Sequence, residues 1–119
     1  MPKATTQLTT KWLERNGWNV DVVERWVSIP GGMRPGYHRD LYGCIDVVAL
    51  KVGQMGLLGV QTTSYSHRWD RRSKLLAEDS MRLWVMSGCK LWVVGWRPKG
   101  HEDRANPNVY EVTLEDFKK

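Results

Sequence analysis

Two polar residues interrupt otherwise apolar stretches near the middle of the chain, Asp46 within 44–50 and Gln61 within 57–63. Both stretches have the length and composition of β-strands. The linker 51–56 is short and contains two glycines, which is typical of a hairpin and predicts that the two strands are antiparallel neighbours. We therefore expect Asp46 and Gln61 to lie close together at one edge of a sheet.

Phosphodiester hydrolysis is the chemistry that such a pair could serve. The reaction needs a divalent cation to polarise the phosphate and activate a water, and Mg²⁺ and Mn²⁺ prefer oxygen ligands. The carboxylate of Asp46 and the side-chain carbonyl of Gln61 supply oxygens of this kind. A second carboxylate is expected from Asp40, which shares strand parity with Asp46 if that strand begins early, or from Glu24, which interrupts an apolar strand face.

Basic side chains gather after the Gln61 strand and in a glycine- and proline-rich loop at 30–39. The candidates for contacts with DNA phosphates are Arg34, His38, Arg39, His67, Arg68, Arg71 and Arg72. Such contacts fix a protein's position on DNA without reading its sequence, and they weaken steeply with salt. A solvated helix face is the other interpretation of the helical residues, and it stays open here.

Hydrophobic periodicity and turn residues predict the order helix, three strands, helix, two strands and a terminal turn. The predicted elements are a helix capped by Thr5 or Thr6 and ended by Asn16-Gly17, a strand at 18–27, strands at 44–50 and 57–63, a long helix from Ser66 to Met86, strands at 91–94 and 109–112, and a turn capped by Thr113. This order favours an α/β fold in which a meander is followed by a right-handed crossover to a buried strand.

Composition indicates a single domain over residues 1–119 with an anionic partner. The net charge is +5 and the isoelectric point is near 9.4. The two cysteines, Cys44 and Cys89, lack metal-ligand spacing with any histidine and read as free thiols in a reducing compartment. No apolar run approaches the roughly 20 residues needed to span a bilayer, so we expect a cytoplasmic protein.

Asp46 followed by Gln61-Thr62-Thr63, within this order of elements, resembles the PD-(D/E)XK nuclease superfamily. The resemblance implies a restriction-endonuclease-like αβββαβ core with a mixed central sheet flanked by helices. Asp46 would be the metal-bridging aspartate, Gln61 would replace the acidic ligand, and the Thr62 main-chain carbonyl could be a further ligand. Within the superfamily, the chain looks most like archaeal-type Holliday junction resolvases and small nuclease-like proteins of phages.

The sequence departs from the family pattern at three points. Thr63 occupies the position of the motif lysine, Gln61 is neutral, and Thr6 and Gln7 stand where the first helix often carries a glutamate. A lysine from elsewhere can replace the motif lysine, since its ammonium need only reach the water and the phosphate. Lys74 is our candidate for that role, and Arg71 is the second.

The resemblance implies a Mg²⁺- or Mn²⁺-dependent endodeoxyribonuclease, a hydrolase that acts on branched DNA in recombination as a homodimer. The catalytic set would be Asp46, Gln61, Thr63 and Lys74, and the metal ligands Asp46, Gln61, Thr62 and Asp40. A degenerate nuclease fold that binds nucleic acid without cutting it is the alternative, motivated by Gln61 and Thr63. A purely structural or protein-interaction role is a third hypothesis.

Overall fold

A five-stranded mixed sheet with helices organises the chain, which is an α/β protein. The computed structural model describes residues 3–27, 31 and 37–118, and of residues 25–27 and 37–39 it describes only the backbone. The elements are α1 (Ala4–Arg15), β1 (Asn19–Val22), β2 (Arg25–Val27), β3 (Tyr37–Arg39), β4 (Val47–Leu50), β5 (Leu58–Ser64), α2 (Arg68–Leu76), α3 (Asp79–Met86), β6 (Lys90–Trp96) and β7 (Asn108–Val112). Short 3₁₀ helices lie at Tyr65–His67 and Leu114–Phe117.

The strand order in the sheet is β1-β4-β5-β6-β7, and β2 pairs with β3 in a separate two-stranded ribbon. β4 and β5 are antiparallel, with Val47 opposite Val60, so the predicted hairpin is confirmed. β5 and β6 are parallel, and the chain between them forms α2 and α3. The carboxyl ends of β5 and β6 therefore lie at the same edge of the sheet.

Successive side chains of each strand point to opposite faces of the sheet, so the buried residues form two clusters, one on each face. On one face, Val60 and Val94 are buried against Leu13 of α1. On the other face, Val93 is buried with Leu75 of α2. Helices thus cover both faces, with α1 on one side of β5 and α2 on the other.

The predicted strand at 18–27 is wrong as one element, because it breaks at Val23 and Glu24 and its two halves join different sheets. At the break, the N–H groups of Val23 and Glu24 both donate to the carbonyl oxygen of Asp46, at 2.9 and 3.2 Å. Glu24, the polar residue that interrupts the apolar pattern, therefore lies where the chain leaves the sheet beside Asp46.

The predicted long helix is also wrong as one element, because Glu78 is extended (φ −100°, ψ 117°) and divides it into α2 and α3. Asp79 in the first turn of α3 suits a new helix N-terminus. Ser66 lies in the 3₁₀ helix, and His67 is the N-cap of α2. Trp69, in the first turn of α2, is 50 % exposed.

Three further boundaries differ from the sequence prediction. β4 begins at Val47, because Tyr42 and Gly43 form a turn in the left-handed region (φ 54° and 74°), so the strand-parity argument for Asp40 is wrong. Tyr37–Arg39 forms a strand rather than a loop, and residues 30 and 32–36 lie outside the description. α1 begins at Ala4 with Lys3 as its N-cap, not with Thr5 or Thr6.

Two predicted helix boundaries are confirmed. Asn16 is the C-cap of α1, and Gly17 follows in the left-handed conformation (φ 90°) that glycine favours. Thr113 and Asp116 form a reciprocal capping box on the last 3₁₀ helix. Over the described ranges, no helix combines the length and the apolar character that a membrane span requires.

Candidate metal centre

Three carboxylates meet at the amino end of β4. One oxygen each from Glu24, Asp40 and Asp46 lies within 4.8 Å of the other two. Asp46 directly precedes β4, Glu24 follows the end of β1, and Asp40 follows β3, so three separate chain segments build the cluster. Glu24 and Asp46 are 7 % and 0 % exposed. Buried like charges repel strongly, so the cluster requires protons or a cation to be stable.

Asp46 is held by the neighbouring strand through one of its two oxygens. Its Oδ2 accepts hydrogen bonds from the Thr62 N–H at 2.9 Å, from Gln61 Nε2 at 2.9 Å and from the Thr62 hydroxyl at 3.3 Å. Its Oδ1 is buried and has no hydrogen-bond partner among the described residues. The sequence prediction that Asp46 and Gln61 meet across the hairpin is therefore confirmed.

Lys3 is the cation closest to this cluster in the described part of the chain. Its Nζ lies 3.4 Å from Asp46 Oδ2, 3.5 Å from the Thr62 carbonyl oxygen and 3.9 Å from Glu24 Oε2. Its backbone N–H donates to Glu24 Oε1 at 2.7 Å. The Lys3 side chain is 36 % exposed, so the ammonium borders both the carboxylates and solvent.

Burial raises the pKa of Asp46 to about 7. The positive charge of Lys3 opposes the rise, while the negative charge of Asp40 adds to it. The hydrogen bond from the Thr62 N–H favours the ionised form. One ammonium is therefore too little positive charge to keep the cluster fully ionised near neutral pH.

The donor set fits a hard divalent cation. The described chain offers no hydrogen-bond partner to two buried oxygens of the cluster, Asp46 Oδ1 and Glu24 Oε2, or to Oε1 of the adjacent Gln61. Buried polar atoms without a hydrogen-bond partner are costly, and a cation bound between the carboxylates would satisfy the oxygens of Glu24 and Asp46. Carboxylate and amide oxygens are the ligands that Mg²⁺ and Mn²⁺ prefer.

Gln61 presents Nε2 to Asp46, and its Oε1 is one of the unpaired oxygens. Rotation of the amide about its last side-chain bond exchanges these two atoms, so the same residue can donate to Asp46 or offer an oxygen to a shared ion. The Thr62 carbonyl oxygen accepts from Gln61 Nε2 at 3.3 Å and lies beside Lys3 Nζ. Both predicted ligands on β5 thus border the cluster.

Two members of the predicted catalytic set do not contact the cluster. Thr63 is 6 % exposed, and its hydroxyl forms no hydrogen bond to the three carboxylates. Lys74 is exposed on α2 and forms no ion pair with any carboxylate of the described chain. Its charge acts instead on Cys44, where it opposes the burial that raises the pKa of the thiol to about 11.

The basic residues predicted to contact DNA differ in their surroundings. Arg72 pairs with Asp116 at 3.0 Å, whereas Arg71 has no carboxylate partner in the described chain. The His67 Nδ1 lies 2.7 Å from the Ser64 hydroxyl, and the Arg68 guanidinium stacks on the ring of Tyr65. The predicted residue Arg34 lies outside the described residues, as do the side chains of His38 and Arg39.

Sequence reasoning missed Lys3. The hydroxyls of Thr5 and Thr6 lie 3.2 and 3.1 Å from that of Thr62 and fix the first turn of α1 against β5. This contact brings Lys3 to a carboxylate 43 positions away, and no local pattern predicts it. The only signal in the sequence was at Thr6, which with Gln7 stands where the first helix of PD-(D/E)XK nucleases often carries a glutamate.

Comparisons of the chain with protein-family models, curated proteins and solved structures give no match.

Proposed function

We propose that the protein is a Mg²⁺- or Mn²⁺-dependent endodeoxyribonuclease acting on branched or otherwise structured DNA, resembling a Holliday junction resolvase. The observation that carries the proposal is the cluster of Glu24, Asp40 and Asp46 beside Gln61, with three buried oxygens that have no hydrogen-bond partner in the described chain. Carboxylate and amide oxygens are the ligands that Mg²⁺ and Mn²⁺ prefer, and an ion held by them can bind a phosphate. The net positive charge of the protein would attract such a polyanion.

The order of elements supports the proposal. α1, β1, β4, β5, the α2–α3 segment and β6 follow the αβββαβ order of PD-(D/E)XK nucleases, with the β2–β3 ribbon inserted after β1. In that comparison, Asp46 directly precedes the second core strand and Gln61 lies in the third. The insertion also carries the chain to Asp40, which supplies a third carboxylate.

Each residue of the site has a role in the proposed hydrolysis. Water adds to phosphorus, one P–O ester bond breaks, and the water proton leaves while the departing oxygen is protonated. A bound Mg²⁺ or Mn²⁺ would polarise the phosphate and lower the pKa of the water. Asp46, Glu24, Asp40 and Gln61 would hold the ion, and the Thr62 N–H fixes the Asp46 carboxylate in place.

Lys3, rather than Lys74, is the ammonium that we assign to the water and the phosphate. It is the nearer cation to Asp46, and more than a third of its side chain is open to solvent, from which DNA would approach. An ammonium positioned in this way stabilises the negative charge that develops on phosphate. The predicted Lys74 would serve DNA from the exposed surface of α2.

The test is nicking of a four-way DNA junction with Mn²⁺, comparing wild type, Asp46→Asn and the control Asp21→Asn. Asp21 is exposed on β1 and belongs to no cluster. We expect Asp46→Asn to abolish nicking and Asp21→Asn to retain it. Mn²⁺ should also raise the melting temperature of wild type and of Asp21→Asn, but not that of Asp46→Asn. Equal nicking by the two variants would exclude the proposal. Absence of both nicking and the thermal shift in wild type would exclude it as well.

A degenerate nuclease fold that binds nucleic acid without cutting it is the second candidate. The observation that favours it is the set of donors around Asp46 Oδ2, where Lys3, Gln61 and Thr62 already compensate the carboxylate from within the chain. This candidate predicts salt-sensitive DNA binding that Asp46→Asn leaves unchanged, with neither nicking nor a Mn²⁺-dependent thermal shift. A homodimer with two-fold symmetry, which the resemblance implies, would be tested by sedimentation on the same samples.

A further inference from the structure

A groove with an aromatic floor and a cationic rim lies at the carboxyl ends of β5 and β6. It encloses about 360 Å³, and we call it the arginine groove. Its principal lining residues are Thr5, Tyr65, Ser66, Trp96, Arg97 and Arg104. Trp96 is 3 % exposed, and its indole N–H donates to the Thr9 hydroxyl at 2.9 Å, so the floor is fixed.

Two guanidinium groups are held against the ring of Tyr65. The Arg68 guanidinium carbon lies 3.6 Å from the ring centroid and that of Arg97 lies 4.4 Å from it. Arg68 Nη1 donates to the Tyr65 carbonyl at 2.7 Å, while its Nε is buried without a hydrogen-bond partner in the described chain. Stacked guanidinium groups keep N–H edges available for an anion at a small entropic cost.

The positive charge of the groove is not neutralised internally. Arg68, Arg97 and Arg104 form no ion pair with any carboxylate among the described residues. By contrast, Arg72, on the same helix as Arg68, is paired with Asp116. Arg104 donates to the Arg97 carbonyl oxygen, which ties the two rim residues together. Arg97 and Arg104 line the groove, and Arg68 borders it through its stacking on Tyr65, so three guanidinium groups without a carboxylate partner in the described chain indicate an anionic ligand.

The groove adjoins the metal centre. Thr5 lines it, and the Thr5 hydroxyl lies 3.2 Å from that of Thr62, whose N–H holds Asp46. Close packing also fixes the groove on the sheet, because a Cβ at Gly95 would lie 3.3 Å from the Cα of Tyr65 and from the Cβ of Arg68. A polyanionic chain bound at the metal centre can therefore continue into the groove, whose position on the sheet is fixed.

We infer that the arginine groove binds single-stranded DNA, so that the substrate carries unpaired nucleotides next to the scissile phosphate. A single strand offers its phosphates to the guanidinium groups and its unstacked bases to the exposed ring of Trp69, whereas a duplex keeps the faces of its bases stacked on one another. Trp69, 50 % exposed and 4.8 Å from the Arg68 guanidinium carbon, extends the platform beyond Tyr65. The inference rests on the proposed function for the substrate, but the binding itself needs no metal.

The test is fluorescence anisotropy in EDTA with a labelled oligothymidylate of about 20 nucleotides, a duplex of the same length and the matching oligouridylate. Arg97→Ala is compared with Arg82→Ala, since Arg82 is an exposed arginine on α3 whose guanidinium, within the described chain, donates a hydrogen bond to the sulfur of Met86 and forms no ion pair. We expect Arg97→Ala to bind the DNA single strand about tenfold more weakly and to lower the slope of log affinity against log salt by about 0.7. Arg82→Ala should behave as wild type.

Equal affinity of the two variants for the single strand would overturn the inference, as would duplex binding as tight as single-strand binding. Preference for the oligouridylate would assign the groove to RNA and overturn it as stated. If Arg97→Ala fails to fold, photocrosslinking of wild type to a thiothymidine oligonucleotide decides the question. Crosslinks within 64–69 or 96–104 support the inference, and crosslinks confined elsewhere contradict it.

Failure of the groove and failure of the nuclease proposal give different results. If wild type binds the single strand through Arg97 but nicks no junction, the nuclease proposal is refuted and the inference about the arginine groove stands. A wild type that nicks junctions and binds single strands independently of Arg97 would refute the groove alone.

Discussion

The ammonium of Lys3 lies 3.4 Å from Oδ2 of Asp46, although the two residues are 43 positions apart in the chain. The contact places a solvent-accessible cation at the edge of a buried carboxylate cluster, which is where a phosphate would meet a metal ion. In the proposed nuclease, an ammonium at this position would replace the motif lysine of PD-(D/E)XK nucleases, whose place Thr63 would occupy.

The first prediction separates Lys3 from Lys74. Lys3→Met should lower the single-turnover rate of junction nicking by about 100-fold or more, since loss of one well-placed donor to the developing charge has an effect of that size. Lys74→Met should change the rate by less than a few fold, because Lys74 makes no ion pair within the described chain. The reverse result would return the catalytic role to Lys74.

The second prediction concerns the neutral ligand. Gln61→Glu adds a fourth carboxylate to a buried cluster, so in EDTA the variant should melt at a lower temperature than wild type. With Mn²⁺ the added carboxylate should instead be favourable. The variant should bind the ion about tenfold more tightly than wild type, because affinity rises with ligand charge. Calorimetric titration and melting curves measure both effects.

Gln54→Glu is the matched control for this change, since Gln54 is exposed and its Oε1 accepts from Lys90 Nζ at 2.9 Å. It should alter neither the melting temperature in EDTA nor Mn²⁺ affinity. If Gln61→Glu binds Mn²⁺ no better than wild type, Gln61 is not a ligand.

The pairing of Asp46 with Gln61 was predictable because both signals are local. Alternation sets the face of each strand, and a short glycine-containing linker sets the register of a hairpin. Those rules require only residues within 44–63. The mixed sheet followed from the same local rules together with the buried strand at 91–94.

The rest of the centre depends on contacts that alternation cannot encode. Glu24 reaches Asp46 because β1 ends there and the next two N–H groups turn toward the Asp46 carbonyl. Asp40 lies near Asp46 because the chain between them turns at Tyr42 and Gly43, both in the left-handed region, and not because the two residues share a strand face. Lys3 depends on threonine hydroxyls that join α1 to β5, and such tertiary contacts override local propensity.

The third prediction concerns the turn that closes the β4–β5 hairpin. Gly56 has φ +76°, and a Cβ there would meet the carbonyl oxygen of Gly88 well inside van der Waals contact. Gly53 has φ +89°, but a Cβ added there would have no heavy atom within 4 Å among the described residues. Gly53→Ala should lower the free energy of unfolding by about 1 kcal/mol, the cost of a left-handed alanine. Gly56→Ala should cost about 2 kcal/mol more, because a backbone atom must move.

Urea denaturation of both glycine variants measures the difference, with equal slopes required for the comparison. Equal midpoints for Gly53→Ala and Gly56→Ala would show that the hairpin does not pack against Gly88 as described. Nicking should survive in Gly53→Ala, since that turn lies outside the metal centre.

The last prediction uses the acid dependence of Asp116. Burial alone would raise the pKa of this carboxyl, but hydrogen bonds from the Thr113 N–H at 2.8 Å, the Tyr110 hydroxyl at 2.7 Å and Arg72 at 3.0 Å outweigh it and hold the pKa below its ordinary value. A lowered pKa in the folded state means that the carboxylate adds stability above the unfolded pKa of about 3.9 and loses it as pH falls through the folded value.

Asp116→Asn should therefore lower the free energy of unfolding by about 1 to 2 kcal/mol at neutral pH, because a charged acceptor of three donors becomes neutral. The difference from wild type should shrink as the pH falls below about 4. Asp103→Asn, an exposed carboxylate in no ion pair of the described chain, should show no such trend. A difference that stays constant with pH would mean that the carboxyl stabilises the last turn by shape and not by charge.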